Sequence, residues 1–114
     1  MNAIQEYLFP PIPAPTPVSP RGLTIEEQFR EFHRRNPHVY HRLRELAFQM
    51  KGRGHRRIGM KMLFEVLRWQ HAMSTSDPAS EFKLNNSYTA YYARLLMQQE
   101  PALDGLFATR KQKS

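Results

Sequence analysis

From residue 24 to residue 100 the apolar positions recur at helical intervals, in four blocks separated by polar or glycine-containing breaks. The first block opens with "TIEE", in which Glu27 stands three residues after Thr24, the spacing of a capping box. A helix is predicted from about Ile25 to Arg35, with Phe29 and Phe32 on one face and Arg30, Arg34 and Arg35 turned elsewhere. Asn36-Pro37 ends it and starts the next, because Asn favours the N-cap and Pro the first helical position. In the second block Val39, Leu43, Leu46, Ala47 and Met50 make a core-facing stripe, and Gly52 and Gly54 stop it. The third block, from about Gly59 to Met73, carries Met60, Met62, Leu63, Phe64, Val66, Leu67 and Trp69. It is apolar on more than one face and is predicted to be central, touched from two sides. "STSDPASEFKLNN" has no helical period and reads as a loop. Asn86 or Ser87 then caps a fourth helix, "YTAYYARLLMQQE", which Pro101 ends. Tyr88, Tyr92, Leu95 and Leu96 point one way along it. Beyond it, Asp104-Gly105 forms a turn and Leu106 to Thr109 reads as a short strand.

Residues 1 to 20 follow none of these periods. "FPPIPAPTPVSP" holds six prolines, which remove backbone donors and favour an extended conformation. The chain therefore divides into an extended Pro-rich arm, residues 1–22, and one helical domain, residues 23–114. The arm reads either as a linker or as a docking segment that would bind a partner through Tyr7, Leu8, Phe9 and Ile12.

Composition narrows the function classes. The absence of cysteine removes disulfides and thiolate metal sites and suits the cytoplasm. No apolar run is long enough to span a bilayer, so no membrane partner is expected. His33, His38 and His41 lie close in sequence, but no further ligand falls at a supporting spacing, and no metal or other cofactor is expected. Neither a carboxylate pair nor a nucleophile motif appears, so no catalytic residue is assigned. The formal net charge of +7 points to an anionic partner, with DNA first. Its densest part is "KGRGHRRIGMK", where Lys51, Arg53, Arg56, Arg57 and Lys61 stand with no acid among them, at the head of an apolar helix. A helix N-terminus presents free N–H groups, and the glycines allow close approach, so phosphate is a coherent ligand. A solvated loop is the alternative.

The order of elements is that of a mainly α, trihelical, winged helix-turn-helix-like core with a preceding helix and a short C-terminal hairpin or wing. The reading helix would be the fourth, offering Asn85, Asn86, Thr89 and Arg94 to phosphates and base edges. The wing, Leu103 to Lys113, would bring Arg110 and Lys111 to the backbone. The link of about a dozen residues before the fourth helix exceeds the 3–4 of a strict helix-turn-helix.

"FHRRNPHVY", "IGMKMLFEVLRW", "DPASEFKLNNSYTAYYAR" and "EPALDGLFATR" lie within Phe29 to Arg110, roughly the last three-quarters of the chain. On these stretches the chain resembles a family of small, mostly uncharacterised proteins encoded by bacteriophages and prophages. The resemblance implies a phage or prophage setting in a bacterial host cell, and carries no activity and no site residue. Two functions stay open on the sequence: a non-enzymatic protein binding double-stranded DNA, such as a regulator, or an interaction module that redirects a host or defence protein. The oligomeric state is open, a dimer included.

Overall fold

The computed structural model describes residues 11–108. Among these it places four α-helices: α1 (Ile25–Arg35), α2 (Pro37–Gly52), α3 (Met60–Ser74) and α4 (Thr89–Gln99). Short 3-10 turns occupy Asn86–Tyr88 and Pro101–Leu103. The mainly helical expectation holds, and among the described residues no helix is long and apolar enough to cross a membrane.

Local chemistry accounts for the helix ends. Thr24 Oγ1 accepts from the Glu27 N–H at 3.1 Å, and the Thr24 N–H donates to Glu27 Oε1 at 2.9 Å, closing the capping box. At the end of α2 the His55 N–H reaches the Met50 carbonyl and the Gly54 N–H the Lys51 carbonyl, with Gly54 at φ +95°. That is a Schellman ending, and Gly54 takes the left-handed position that a side chain would strain. Gly52 is simply the last residue of the helix.

α3 packs between α2 and α4 and buries Met60, Leu63, Phe64 and Leu67. Met62, Trp69 and Met73 are 43%, 50% and 49% exposed, so beyond the two-sided packing predicted for it α3 has a third, partly exposed apolar side. α4 runs antiparallel to α3. Arg68, in mid-α3, donates to Asn86 Oδ1 at 2.8 Å at the start of α4, while Ile58, just before α3, bridges Phe107 beyond its end. Leu96, rather than Leu95, is the fully buried leucine of the pair.

An aromatic cluster clamps α1 to α4. The Phe29 ring meets Tyr92 edge-on at 4.8 Å and Tyr91 stacked at 5.3 Å, and Phe32 meets Tyr88 at 5.2 Å. The loop before α4 adds to the core, since Phe82 and Leu84 alternate inward and are both buried.

The expected hairpin is replaced, in its described part, by an isolated parallel bridge between Ile58 and Phe107; no strand forms among the described residues. Leu103 ends a 3-10 turn, Gly105 turns the chain at φ +79°, and Phe107 then pairs with the α2–α3 link instead of folding back on its own segment.

Residues 11 to 18 lie against the domain. Prolines lack N–H groups but keep carbonyls that must be satisfied when partly buried. Side chains of α2 and α3 and of the α1–α2 junction supply the donors. Arg42 donates to the Pro11 carbonyl (3.2 Å), His71 Nδ1 to Ile12 (2.9 Å), His38 Nε2 to Pro13 (2.9 Å) and Arg35 to Pro17 (3.3 Å). Asn36, 1% exposed, does most. Its Oδ1 accepts from the Thr16 N–H at 2.7 Å, and its Nδ2 donates to the carbonyls of Thr16 (2.9 Å) and Phe32 (3.0 Å). The side chain expected to cap α2 thus makes no capping bond and holds the extended segment instead.

Two outcomes are expected of stability measurements. Asn36→Ala strands partly buried backbone groups and should cost about 2–4 kcal/mol, read from urea unfolding. Tyr92 is fully buried, and its hydroxyl meets no hydrogen-bond partner among the described residues. Burial pushes its pKa well above the ordinary tyrosine range, with Tyr88 adding to it. Tyr92→Phe should therefore leave stability unchanged or raise it by about 1–2 kcal/mol; a loss of that size would reveal a partner for the hydroxyl.

Candidate nucleic-acid interface

Charge is sorted unevenly over the surface. Arg30 pairs with Glu26 at 3.1 Å, Arg34 and Arg35 with Glu31, Arg42 with Glu45 at 3.7 Å, Arg44 with Glu100 at 2.6 Å, and Arg68 with Glu65. The Arg34 and Arg35 guanidinium groups hold the Glu31 carboxyl down to about 2. These arginines serve local structure, and their exposed pairs contribute little stability each.

Lys51, Arg53, Arg56, Arg57 and Lys61 behave differently. All five are exposed, and among the described residues none of them is ion-paired. The Schellman ending of α2 stops the helix at Gly54, and Ile58 is buried again at 9% exposure, so residues 53 to 57 form an exposed basic loop between Lys51 at the end of α2 and Lys61 at the start of α3. Lys51 Nζ donates to the Ala102 carbonyl, which keeps this lysine against the 3-10 turn. Between loop and turn lies a cleft of about 340 Å³ lined by Lys51, Gly54, His55, Arg56 and, across it, Asp104 and Leu106. His55 belongs to this basic surface and was not singled out from the sequence, although it stands inside the same run. Like charges crowded this closely repel one another, and a polyanion relieves that repulsion while releasing its own counterions.

The second expected group lies elsewhere. Asn85 Oδ1 accepts from the Ser87 N–H at 2.8 Å, Asn86 Oδ1 accepts from Arg68, and Thr89 Oγ1 donates to the Asn86 carbonyl at 3.0 Å. These side chains build the start of α4, although Asn85 and Asn86 remain exposed. Arg94 lies 4.9 Å over the Tyr91 ring and is half-buried. Along α4 itself only Gln98 and Gln99 are fully exposed, and the side carrying Tyr91, Arg94 and Leu95 is only partly so, which leaves no continuous exposed polar face. Because α4 is antiparallel to α3, Asn85 and Asn86 sit at the opposite end of α4 from the basic loop, roughly 16 Å away along an 11-residue helix.

Arg110 and Lys111 lie outside the described residues. Phe107, near the end of the described residues, bridges Ile58 at the base of the basic loop. Tyr7, Leu8 and Phe9 also lie outside the described residues. Ile12, expected to face a partner, is 3% exposed and packs into the chain's own core.

The histidines are divided by the fold. Among the described residues no group of three or more His, Asp or Glu side chains is placed to hold a metal. His38 bonds the Pro13 carbonyl, His71 joins the Ile12 carbonyl to Ser80 Oγ (2.8 Å), and His33 stacks on Phe29 with Tyr40 5.3 Å away. Burial, with His41 adding to it, lowers the His33 pKa, and its Nδ1 is buried without a partner among the described residues. A depressed histidine pKa means that the unfolded chain binds the proton more tightly. Its contribution is present above the unfolded pKa, about 6.5, and is lost as pH falls from there toward the folded value. Melting temperature should therefore drop between about pH 7 and pH 5, and His33→Phe should flatten that drop. The Glu31 contribution is lost separately, as pH falls from about 4 toward about 2. Compared with protein-family models, curated proteins and solved structures, the chain matches none.

Proposed function

We propose that this protein is a non-enzymatic DNA-binding protein of a phage or prophage, gripping the backbone of duplex DNA through the loop between α2 and α3. One observation carries the reading: five exposed cations in a run that holds no acid, with no ion pair among the described residues, in a chain that neutralises six of its other arginines with carboxylates. Phosphate contacts of this kind supply affinity and little sequence information. Arg110 and Lys111 supply further cations for phosphate. Asn85 and Asn86, about one helix length away, meet the duplex at its next groove edge and give the protein a regulator's modest sequence preference, with Thr89 and Arg94 supporting them. The winged helix-turn-helix reading survives in this reduced form, in which the end of α4 touches the groove and its side does not.

The test is a titration of generic duplex DNA across a range of salt. Replacing Arg53, Arg56 and Arg57 together with Ala should weaken binding and reduce the log–log salt slope by about 2–3, near one per lost phosphate contact. Asn86→Ala should leave that slope unchanged, because it removes no charge. Unaltered affinity and slope in the triple variant would remove the loop from the interface. Capture of a host protein from lysate after nuclease treatment, with no duplex binding, would favour the interaction module instead.

A further inference from the structure

The cleft between the basic loop and the second 3-10 turn holds opposite charges that do not meet. Lys51, His55 and Arg56 line one wall and Asp104 the other, and among the described residues none of the four is ion-paired. Elsewhere the chain joins such charges directly, as where Arg44 reaches Glu100 at 2.6 Å. The backbone is left open in the same place. The Arg56 N–H on the loop wall and the Gly105 N–H on the turn wall meet no partner among the described residues. Each wall also carries a glycine at positive φ, Gly54 at +95° and Gly105 at +79°, with no atom within 4 Å of where a Cβ would stand. Both walls therefore present bare backbone to an incoming group.

Size and the two signs of charge decide what fits between them. At about 340 Å³ the space lies near the lower end of ligand-pocket volumes, which run from ~300 to 1,000 Å³. A base-paired segment is too wide to enter it, whereas a single nucleotide is not. The cations and the two N–H groups suit a phosphate, which brings only acceptors. Asp104 is also an acceptor and needs a donor from the same ligand. Phosphate alone would leave that carboxylate facing a like charge, and a nucleotide supplies both partners. Guanine alone among the four DNA bases offers two adjacent donors on its Watson–Crick edge, N1–H and the N2 amino group. Two parallel hydrogen bonds to one carboxylate match that pair. In a duplex the same edge is occupied by cytosine, so the guanine must be unpaired.

We propose that this cleft binds one unpaired guanine nucleotide at the end of a DNA strand, with its phosphate against Lys51 and Arg56 and its base edge on Asp104. The proposal rests on the DNA-binding reading for the source of the nucleotide and adds to it a preference for strand ends. A free guanine nucleotide carries the same groups, and the experiment separates the two sources.

Three 5′-phosphorylated duplexes sharing one core sequence are titrated into the full chain by fluorescence anisotropy: one blunt, one with a single-nucleotide 5′ overhang of G, and one with T in its place. The G overhang should bind about tenfold more tightly than the other two. In Asp104→Ala that ratio should fall to about one. Equal affinity of the wild type for all three would overturn the proposal while leaving duplex binding intact, and so would a G preference that persists in Asp104→Ala. If no duplex binds, the DNA-binding reading has failed, and amide chemical shifts of the full chain with 5′-GMP and with 5′-UMP decide the cleft. Shifts at Gly54 and Gly105 with GMP alone would uphold the guanine site and make a free nucleotide its source. No shift with either nucleotide would overturn it.

Discussion

The arrangement of this protein depends on one buried amide. Asn36 occupies the corner between α1 and α2, where its carboxamide meets both backbone groups of Thr16 and the Phe32 carbonyl of α1. A proline-rich segment has few donors, and an extended segment on a helical surface has no ladder to join. Asn36 supplies what a neighbouring strand would, and His38, Arg42 and His71 continue the pattern along the segment. The result is an extended piece of chain held by side chains rather than by backbone pairing. Its Ile12 joins the same buried core as Val39, Leu43, Leu67 and Tyr92.

The same economy of contacts explains how charge is distributed. Helices α1, α2 and α3 match their arginines to nearby carboxylates at three- and four-residue spacing, which keeps their wet faces nearly neutral. The α2–α3 loop cannot do this, because no acid lies within it. Net positive charge is thereby concentrated at one end of the molecule. Beside it the Ile58–Phe107 bridge joins sequence regions some fifty residues apart. α4 separates this end from Asn85 and Asn86, whose side chains are tied into the start of that helix and to Arg68.

Most of the helical framework was legible in the sequence, for local reasons. The Thr24–Glu27 capping box, Pro37 at a first helical position and the 3.6-residue stripes each act within a few residues of chain, and α1 begins and ends where they place it. The basic loop was legible too, because charge density and the lack of acids are properties of a short run. What tertiary structure alone decided were the matters that depend on residues far apart. Asn36 looked like a cap and became a clamp, because Thr16 arrives twenty residues away to claim its amide. Phe82 and Leu84 sit in a run without helical period, and only the cleft between α1 and α3 makes them core. Asn86, Thr89 and Arg94 are chemically suited to reading bases, but local polarity does not say which side of a helix its neighbours will occupy. The antiparallel packing of α4 on α3, set by apolar burial, left the side of α4 partly covered and put the basic loop at the far end from Asn85 and Asn86.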